Sequence, residues 1–315
     1  MSPHGRREVE HDVTVAAPAG EIYRLIADVE NWPRIFPPTV HVDCVQRSGA
    51  DERIRIFATA NGEAKSWISR RALDPSRRRI DFRQEVSAPP VASMGGSWLI
   101  EALSERESRV RLLHDYRAVD DDPDHLAWID RAVDGNSQAE LAALKANVEL
   151  AVDADNGLTL SFEDSVHVHG AAGDVYDFVN EADAWADRLP HVAWVSMAEE
   201  TPGVQSLSMD TRTKDGATHR TESVRVCFPN DRIVYKQTTL PALMSLHTGY
   251  WRFEEADTGV LATSQHTVVL NEANIPEVLG AGRGVAEARE FVRNALGTNS
   301  RTTLGYAKEY AESRC

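Results

Sequence analysis

The feature that most constrains the fold is an internal repeat, because residues of the first half recur in the second half with the same order and spacing. Shifting the chain by 153 residues aligns two long stretches that share many identities. The identical pairs are Val13/Val166, Val15/Val168, Gly20/Gly173, Tyr23/Tyr176, Trp32/Trp185, Pro37/Pro190, Arg79/Arg232, Ile80/Ile233, Gln84/Gln237, Gly96/Gly249, Trp98/Trp251 and Glu101/Glu254. Chance identities scatter over many offsets, so the sequence predicts two tandem copies of one fold.

The offset changes at two places along the repeat. Between the aligned stretches it is 154, which pairs Arg71 with Arg225. Towards the end of each half it is 163, so the second half carries ten extra residues (163 minus 153) before its last helix. At 315 residues the chain is long enough for two domains of ordinary size, which we predict at residues 1–152 and 158–315.

Each half has the pattern of an α+β unit. In the first half, residues 9–15 alternate as in a strand and a helix opens at Pro18. Residues 40–119 alternate between turn sequences, which indicates a run of antiparallel strands. Residues 120–150 have an acidic start and apolar side chains at helical spacing, which predicts a long closing helix. Such a helix packs on one face of a curved antiparallel sheet, and the two together enclose a cavity.

Charge and cysteine content exclude several classes of protein. A net charge of -15 argues against sequence-independent binding to nucleic acid or to an anionic membrane surface. The three cysteines, Cys44, Cys227 and Cys315, form no CxxC pair, so we expect neither a disulfide framework nor a zinc site. The N-terminal residues lack the apolar core of a signal peptide, and no window approaches 18 apolar residues. We therefore expect a cytoplasmic protein without a membrane segment.

Two short motifs look like binding sites but are better explained otherwise. The sequence HVH at 167–169 has metal-ligand spacing, yet its histidines oppose the face of Val166 and Val168, so we expect a solvent-facing pair and no metal site. The sequence GAGRG at 280–284 does not follow a strand of a βαβ unit, which argues against a dinucleotide site.

The stretch SWISRRALDP, residues 66–75, poses the question of which arginine points inward. Alternation places Trp67, Ser69 and Arg71 on one face, and Ile68, Arg70 and Ala72 on the other. Neither face is cleanly apolar, so alternation alone does not decide between Arg71 and Arg70. The repeat retains Ser69 and Arg71 as Ser223 and Arg225 but does not retain Arg70. Arg71 is therefore the candidate for the inward position.

Alternation also predicts that His114 and Gln84 face the interior. His114 shares its face with Val110, Leu112 and Tyr116. Gln84 likewise shares a face with apolar neighbours at 80, 82 and 86. An imidazole titrates near neutrality and can act as base and acid in turn. A buried histidine bonded to a backbone carbonyl is the competing interpretation.

The set of motifs resembles a known family. WPRIFPPTVHV, SWISRRALDP, SMGGSW and LLHDY at these spacings, with a diverged second copy behind them, are similar to the di-domain aromatase/cyclases of bacterial type II polyketide synthases. The resemblance covers nearly the whole chain and implies two START-like helix-grip domains. It also implies an enzyme without a cofactor that binds a poly-β-ketone tethered to the phosphopantetheine arm of an acyl carrier protein. Such an enzyme closes the first ring by an intramolecular aldol reaction, dehydrates it to an aromatic ring, and works with the other synthase components.

The resemblance further implies a set of pocket residues. Arg71 and His114 fall on positions to which the family assigns catalysis, His114 only in some members. The implied substrate-binding residues are Trp32, Phe36, Thr39, Trp67, Ser69, Gln84, Met94, Trp98 and Asn136. Thr39 replaces a tyrosine that is often present, which argues against a tyrosine acid at this position. The corresponding pocket of the second domain would contain Ser223, Arg225, Trp251 and Asn299.

These assignments leave alternatives open. Arg71 could pair with a surface carboxylate, and Asn136 after Gly135 could cap a helix. Because the repeat aligns Thr221 with Trp67 and Thr267 with His114, we expect the main active pocket in the first domain. The same fold also serves as a non-catalytic carrier of hydrophobic ligands, or as a module that only organises a synthase. Convergence of Arg71, His114, Gln84 and Asn136 on one cavity would distinguish the enzyme from the carrier.

Overall fold

The computed structural model describes residues 5–60, 63–152, 157–212 and 216–314. These residues form two compact units, the first from 5–60 with 65–152 and the second from 157–314 with 63–64. We retain 1–152 and 158–315 as the proposed domains. Residues 153–156, between the two predicted domains, lie outside the described residues. Within the described residues, no helix combines the length and the hydropathy that crossing a bilayer requires.

The first unit contains seven strands and three helices, in the predicted order. The strands are β1 (Arg7–Val15), β2 (Thr39–Ser48), β3 (Asp51–Ala60), β4 (Glu63–Asp74), β5 (Arg79–Gln84), β6 (Val91–Ala102) and β7 (Ser108–Ala118). The helices are α1 (Ala19–Ala27), α2 (Trp32–Ile35) and the long α3 (Pro123–Val152). The strands form one sheet in the order β1-β7-β6-β5-β4-β3-β2. Helix α3 packs on β1 and β7, which confirms the α+β architecture.

The second unit repeats this plan. Its strands are β8 (Thr159–Val168), β9 (Val192–Thr201), β10 (Val204–Arg212), β11 (Thr218–Phe228), β12 (Arg232–Thr239), β13 (Met244–Ala256) and β14 (Gly259–Leu270), in the sheet order β8-β14-β13-β12-β11-β10-β9. Its helices are α4 (Ala172–Asn180), α5 (Trp185–Arg188), α6 (Ile275–Leu279) and α7 (Val285–Glu312). The extra residues before the last helix include the additional short helix α6.

The closing helix of each domain is fastened to the first strand by the same two contacts. In the first domain Lys145 donates to the carbonyl of Thr14 at 2.7 Å, and Glu149 accepts from the backbone N–H of Ala16 at 2.8 Å. In the second domain, Lys308 donates to the carbonyl of residue 167 at 2.7 Å and Glu312 accepts from the N–H of residue 169 at 2.8 Å. Residues that the repeat aligns, at an offset of 163 in the closing helix and of 153 in the first strand, therefore make the same contacts in both domains.

A row of paired residues crosses four strands of the first sheet. Arg71 pairs with Phe82, Phe82 with Gly96, and Gly96 with His114. Side chains at paired positions point to the same face of a sheet. Only glycine fits at position 96 of this row, because a Cβ there would lie 1.9 Å from the Leu113 carbonyl oxygen and 2.7 Å from Cζ of Phe82.

The corresponding row in the second sheet corrects one alignment. Arg225 pairs with Tyr235, Tyr235 with Gly249, and Gly249 with His266. The counterpart of His114 is therefore His266, and the alignment with Thr267 was wrong. The β13–β14 hairpin is one residue shorter than the β6–β7 hairpin, which shifts the offset to 152 beyond it. Both domains thus carry an inward-facing histidine at the same position.

We expect Gly96→Ala to destabilise the first domain by about 2 kcal/mol, because the added methyl group overpacks the row. Gly135→Ala is the matched control, since a Cβ at that position of α3 meets nothing within 4 Å. Removing a glycine from a helix interior stabilises it by about 0.5–1 kcal/mol. Urea unfolding of both variants measures the difference. Equal stability of the two variants would contradict the crowded geometry at Gly96.

Candidate active sites

Arg71 faces inward and is only 3 % exposed, whereas Arg70 is exposed and pairs with Glu85 at 2.7 Å. The Arg71 guanidinium donates to the carbonyls of Ile26 at 3.1 Å and Ala27 at 2.7 Å, at the end of α1. It also forms a buried ion pair with Glu52, which is 4 % exposed. Arg71 therefore joins the sheet to the helix, with its charge neutralised by Glu52.

Aromatic side chains form a wall beside this arginine. The Arg71 guanidinium lies 5.4 Å from the ring centre of Trp32, whose Nε1 donates to the Ile26 carbonyl at 2.9 Å. Phe36 contacts Trp32 edge-on at 5.5 Å and stacks with Trp98 at 6.0 Å. The helix end, the arginine and the aromatic rings therefore hold one another in place.

The other predicted pocket residues of the first domain lie on the strands. Thr39 and Ser69 are buried, and Ser69 donates to the carbonyl of residue 83 at 3.1 Å. Trp67 is half-buried and packs against the cluster around Ile54 and Ile56. Gln84 and Met94 are half-buried neighbours, with the amide nitrogen 4.0 Å from the sulfur. None of these five bonds directly to His114.

His114 contacts the closing helix rather than a backbone carbonyl. Its Nδ1 lies 3.3 Å from the hydroxyl of Ser137, and its ring meets Phe82 edge-on at 5.5 Å. Burial lowers the pKa of His114 to about 4, with a smaller contribution from the nearby His11. The imidazole is therefore neutral at pH 7 and able to accept a proton.

The helix residue beside His114 is Ser137, and not the predicted Asn136. Asn136 is exposed, and it lies within α3 rather than at a cap.

The sequence analysis did not identify Glu140, which lies one helical turn beyond Ser137. Burial raises the pKa of Glu140 to about 7. Glu140 has no ion-pair partner among the described residues. The sequence signal for Glu140 was a carboxyl group at helical spacing from buried positions of the predicted closing helix.

In the second domain a cavity of about 120 Å³ is lined by strands of the sheet and by α7. It is lined by all four predicted residues, Ser223, Arg225, Trp251 and Asn299. It is also lined by side chains that were not predicted, including Tyr235, His247, His266 and Ser300.

Among the residues that the structure describes, no carboxylate pairs with Arg225 as Glu52 pairs with Arg71. The guanidinium donates to the carbonyl of Val179 at 2.6 Å and lies 5.3 Å from the ring centre of Trp185, as in the first domain. At the position of Glu52, offset by 153, stands Gln205. The Gln205 amide donates to Glu199 at 2.9 Å. Among the described residues, Nη1 of the buried Arg225 has no hydrogen-bond partner.

Two histidines and a tyrosine form a buried network beside the same cavity. His247 Nε2 lies 3.0 Å from His266 Nδ1, and the Tyr235 hydroxyl lies 2.9 Å from that same Nδ1. His266 Nε2 contacts the hydroxyl of Ser264 at 3.2 Å. Burial lowers the pKa of both histidines, that of His266 to about 3, so both are neutral. His247 Nδ1 has no partner among the described residues.

We expect Glu52→Gln to destabilise the first domain by about 3 kcal/mol, because it leaves the Arg71 charge buried and uncompensated. The matched control is Glu101→Gln, which removes an exposed carboxylate paired with Arg111 and should cost less than about 1 kcal/mol. Hydrogen exchange of first-domain amides in the full chain reports the change. A loss for Glu52→Gln no larger than for the control would show that the ion pair does not stabilise the domain.

Comparison with known proteins places the chain in a family. The family model described as "Polyketide cyclase / dehydrase and lipid transport" matches twice, over residues 6–149 and over residues 168–295. A granaticin polyketide synthase bifunctional cyclase/dehydratase of Streptomyces virginiae is 52 % identical over 94 % of this chain and 97 % of its own. An actinorhodin polyketide synthase bifunctional cyclase/dehydratase of Streptomyces coelicolor is 44 % identical over 98 % of each chain.

Among solved structures, the crystal structure of the di-domain ARO/CYC BexL from the BE-7585A biosynthetic pathway is similar over nearly the whole length. It covers 97 % of this chain and 99 % of its own, at 66 % identity and a TM-score of 0.93. The predicted tandem helix-grip fold is thereby confirmed. The chain belongs to the polyketide cyclase/dehydrase family and is a two-domain aromatase/cyclase.

Proposed function

We propose that this enzyme closes the first ring of a poly-β-ketone by an intramolecular aldol reaction inside the first domain, and that dehydration to an aromatic ring follows. The observation that carries the proposal is the position of the neutral His114. It contacts Ser137 of α3, and it ends the row of paired residues that begins at Arg71. A neutral imidazole has a free lone pair for the acidic proton of the substrate, and because burial lowers its pKa, the enolate must stabilise the imidazolium that forms.

The substrate would reach this site on the arm of an acyl carrier protein. The similar proteins of Streptomyces virginiae and Streptomyces coelicolor are named as components of polyketide synthases, which supports a role within such a synthase. Tethering would hold the reacting chain at high effective concentration, and the aromatic wall of Trp32, Phe36 and Trp98 would limit the folds it can adopt.

Ring closure begins with removal of an acidic proton between two carbonyls. When Nδ1 of His114 donates its hydrogen to the Ser137 hydroxyl, Nε2 keeps a lone pair and can accept that proton. The resulting enolate attacks a distant ketone of the same chain, forming the ring bond and an alkoxide. Glu140, partly protonated at pH 7, can donate a proton to this alkoxide, and exchange with water then removes the proton from His114 and reprotonates Glu140.

In this mechanism Arg71 is a positioning residue. Its bonds to the carbonyls of Ile26 and Ala27, together with its ion pair to Glu52, orient the end of α1 and the Trp32 ring. The family resemblance implied a catalytic arginine. The contacts support an indirect role instead, because Nη1 and Nη2 both bond to protein groups.

The carrier alternative requires a uniformly apolar interior. The first domain instead carries polar groups on this side of the sheet: His114 contacts Ser137 of α3, and Glu140 lies one helical turn beyond Ser137. A carboxyl group whose pKa burial raises to about 7 favours acid–base catalysis over storage of a ligand.

We expect His114→Gln to slow ring closure by about 100-fold, because the amide cannot accept the substrate proton. Reconstitution with a minimal synthase, followed by chromatography of the products, measures the fraction with a correctly closed first ring. His125→Gln, which changes an exposed histidine on α3, should leave that fraction unchanged. Wild-type ring closure by the His114 variant would rule out the proposed base.

The pH dependence of ring closure should report Glu140. Because the acid must be protonated, the rate should fall as the pH rises through about 7. Glu140→Gln should lower the rate at pH 6 and remove this alkaline decline. Glu105→Gln, in an exposed turn, should retain the wild-type profile. An unchanged decline in the Glu140 variant would assign the titration to another group.

A further inference from the structure

The second-domain cavity contains buried polar atoms without hydrogen-bond partners among the described residues. The proposed ring closure in the first domain does not explain them. Arg225 Nη1 and His247 Nδ1 are buried atoms without a hydrogen-bond partner among the described residues, and both side chains line the cavity. Arg225 and His247 are each 2 % exposed. Leaving a buried donor or acceptor unpaired costs about 1–3 kcal/mol, so two such atoms at one cavity point to a ligand that satisfies them.

We propose that this cavity is a second catalytic site, which removes water from a ring already closed. Its substrate is a carrier-bound cyclic β-hydroxy ketone, bound with its ketone oxygen at Arg225 and its acidic C–H at His247. This inference rests on the proposed ring-closing function, because that function supplies the substrate.

The size of the cavity limits which part of the substrate can enter it. Its volume is about 120 Å³, somewhat less than the cavity of about 150 Å³ that holds benzene. The cavity can therefore receive the ring edge that carries the ketone and the hydroxyl group, but not the whole ring with the rest of the polyketide chain. Trp185, Trp251 and Leu207 supply apolar wall around the polar groups.

The charge arrangement suits an enolate. In the first domain Glu52 neutralises Arg71, but Gln205 occupies the equivalent position in the second. The nearby Glu199 accepts a hydrogen bond from Gln205 and from the N–H of Gly203, and forms no ion pair with Arg225. Arg225 thus retains a donor and a positive charge for the oxygen on which negative charge develops.

The histidine network suits proton transfer to and from the same ligand. Within the described residues, His247 Nδ1 has no hydrogen-bond partner. His247 Nε2 lies 3.0 Å from His266 Nδ1 and 3.4 Å from the Tyr235 hydroxyl. In the tautomer in which His247 Nε2 donates its hydrogen to His266 Nδ1, His247 Nδ1 keeps a lone pair and can take the substrate proton. Burial lowers the pKa of both rings, so both start neutral, and the enolate that forms beside His247 must stabilise the imidazolium as the proton is taken up.

The dehydration balances without an oxidant or reductant. His247 accepts the proton α to the ketone, and the electron pair of that C–H bond forms an enolate whose oxygen accepts a hydrogen bond from Arg225. The enolate re-forms the carbonyl and a C=C bond as the β C–O bond breaks. The departing hydroxide takes the proton back from His247 and leaves as water, and enolisation of the remaining ketones completes the aromatic ring.

The repeat provides a conservative test of the network. Residue 247 corresponds to Met94 and residue 235 to Phe82, so the first domain carries no such network at these positions. His247→Met in the full chain therefore installs a side chain that the same fold accommodates. Ser245→Ala, at an exposed position of the same strand, is the control.

With a reconstituted minimal synthase, we expect His247→Met to lower aromatised product at least about tenfold. A ring-closed product one water heavier should accumulate, and Ser245→Ala should match the wild type. Aromatisation at the wild-type rate, or accumulation of uncyclised products, would overturn the second site. Absence of ring closure by the wild-type enzyme would instead reject the proposed function.

A double variant tests the charge of Arg225 separately. Glu199→Gln with Gln205→Glu moves the carboxylate to the position that Glu52 has beside Arg71, so the change conserves net charge. We expect the same water-retaining product and about a tenfold loss of aromatisation. Wild-type aromatisation by a variant with unchanged thermal unfolding would show that Arg225 does not bind the enolate.

Discussion

Both domains depend on an arginine that extends from the sheet and donates to the carbonyls at the end of the first helix. Arg71 bonds to Ile26 and Ala27, and Arg225 bonds to Val179. Each guanidinium also lies over a tryptophan that follows that helix. A planar fork of donors can satisfy several carbonyls at once, which a lysine cannot do. The helix end, the aromatic wall and the sheet are therefore oriented by one side chain.

What differs between the domains is the charge left on that arginine. Glu52 compensates Arg71, so the acid–base groups that we propose for the first domain are the neutral His114 and the partly protonated Glu140. Gln205 carries no charge, so Arg225 retains a donor for a substrate oxygen. This substitution, together with the different residues at positions 235 and 247, supports the proposal that ring closure occurs in one domain and loss of water in the other.

The fold could be predicted well from the sequence, because the repeat shows the same order of strands and helices in both halves of the chain. The inward orientation of Arg71 also followed from the residues that the repeat retains. The histidine of the second domain was misplaced because a hairpin shorter by one residue shifts the register, so that Thr267 replaced His266 in the alignment. Asn136 was implied by the family resemblance, and periodicity alone does not settle which of two adjacent helix positions faces the sheet. The His247–His266–Tyr235 network depends on contacts across three strands, and no local pattern reports such contacts.

The division of chemistry between the domains can be measured most directly by complementation. The intermediate would remain on a carrier protein that can leave one enzyme molecule and bind another. Full-length His114→Gln and His247→Met enzymes would be mixed in the reconstituted synthase, and aromatised product would be compared with that of each variant alone. The account predicts that the mixture restores aromatised product well above the sum of the two variants. A mixture that yields no more than this sum would contradict separate, sequential sites.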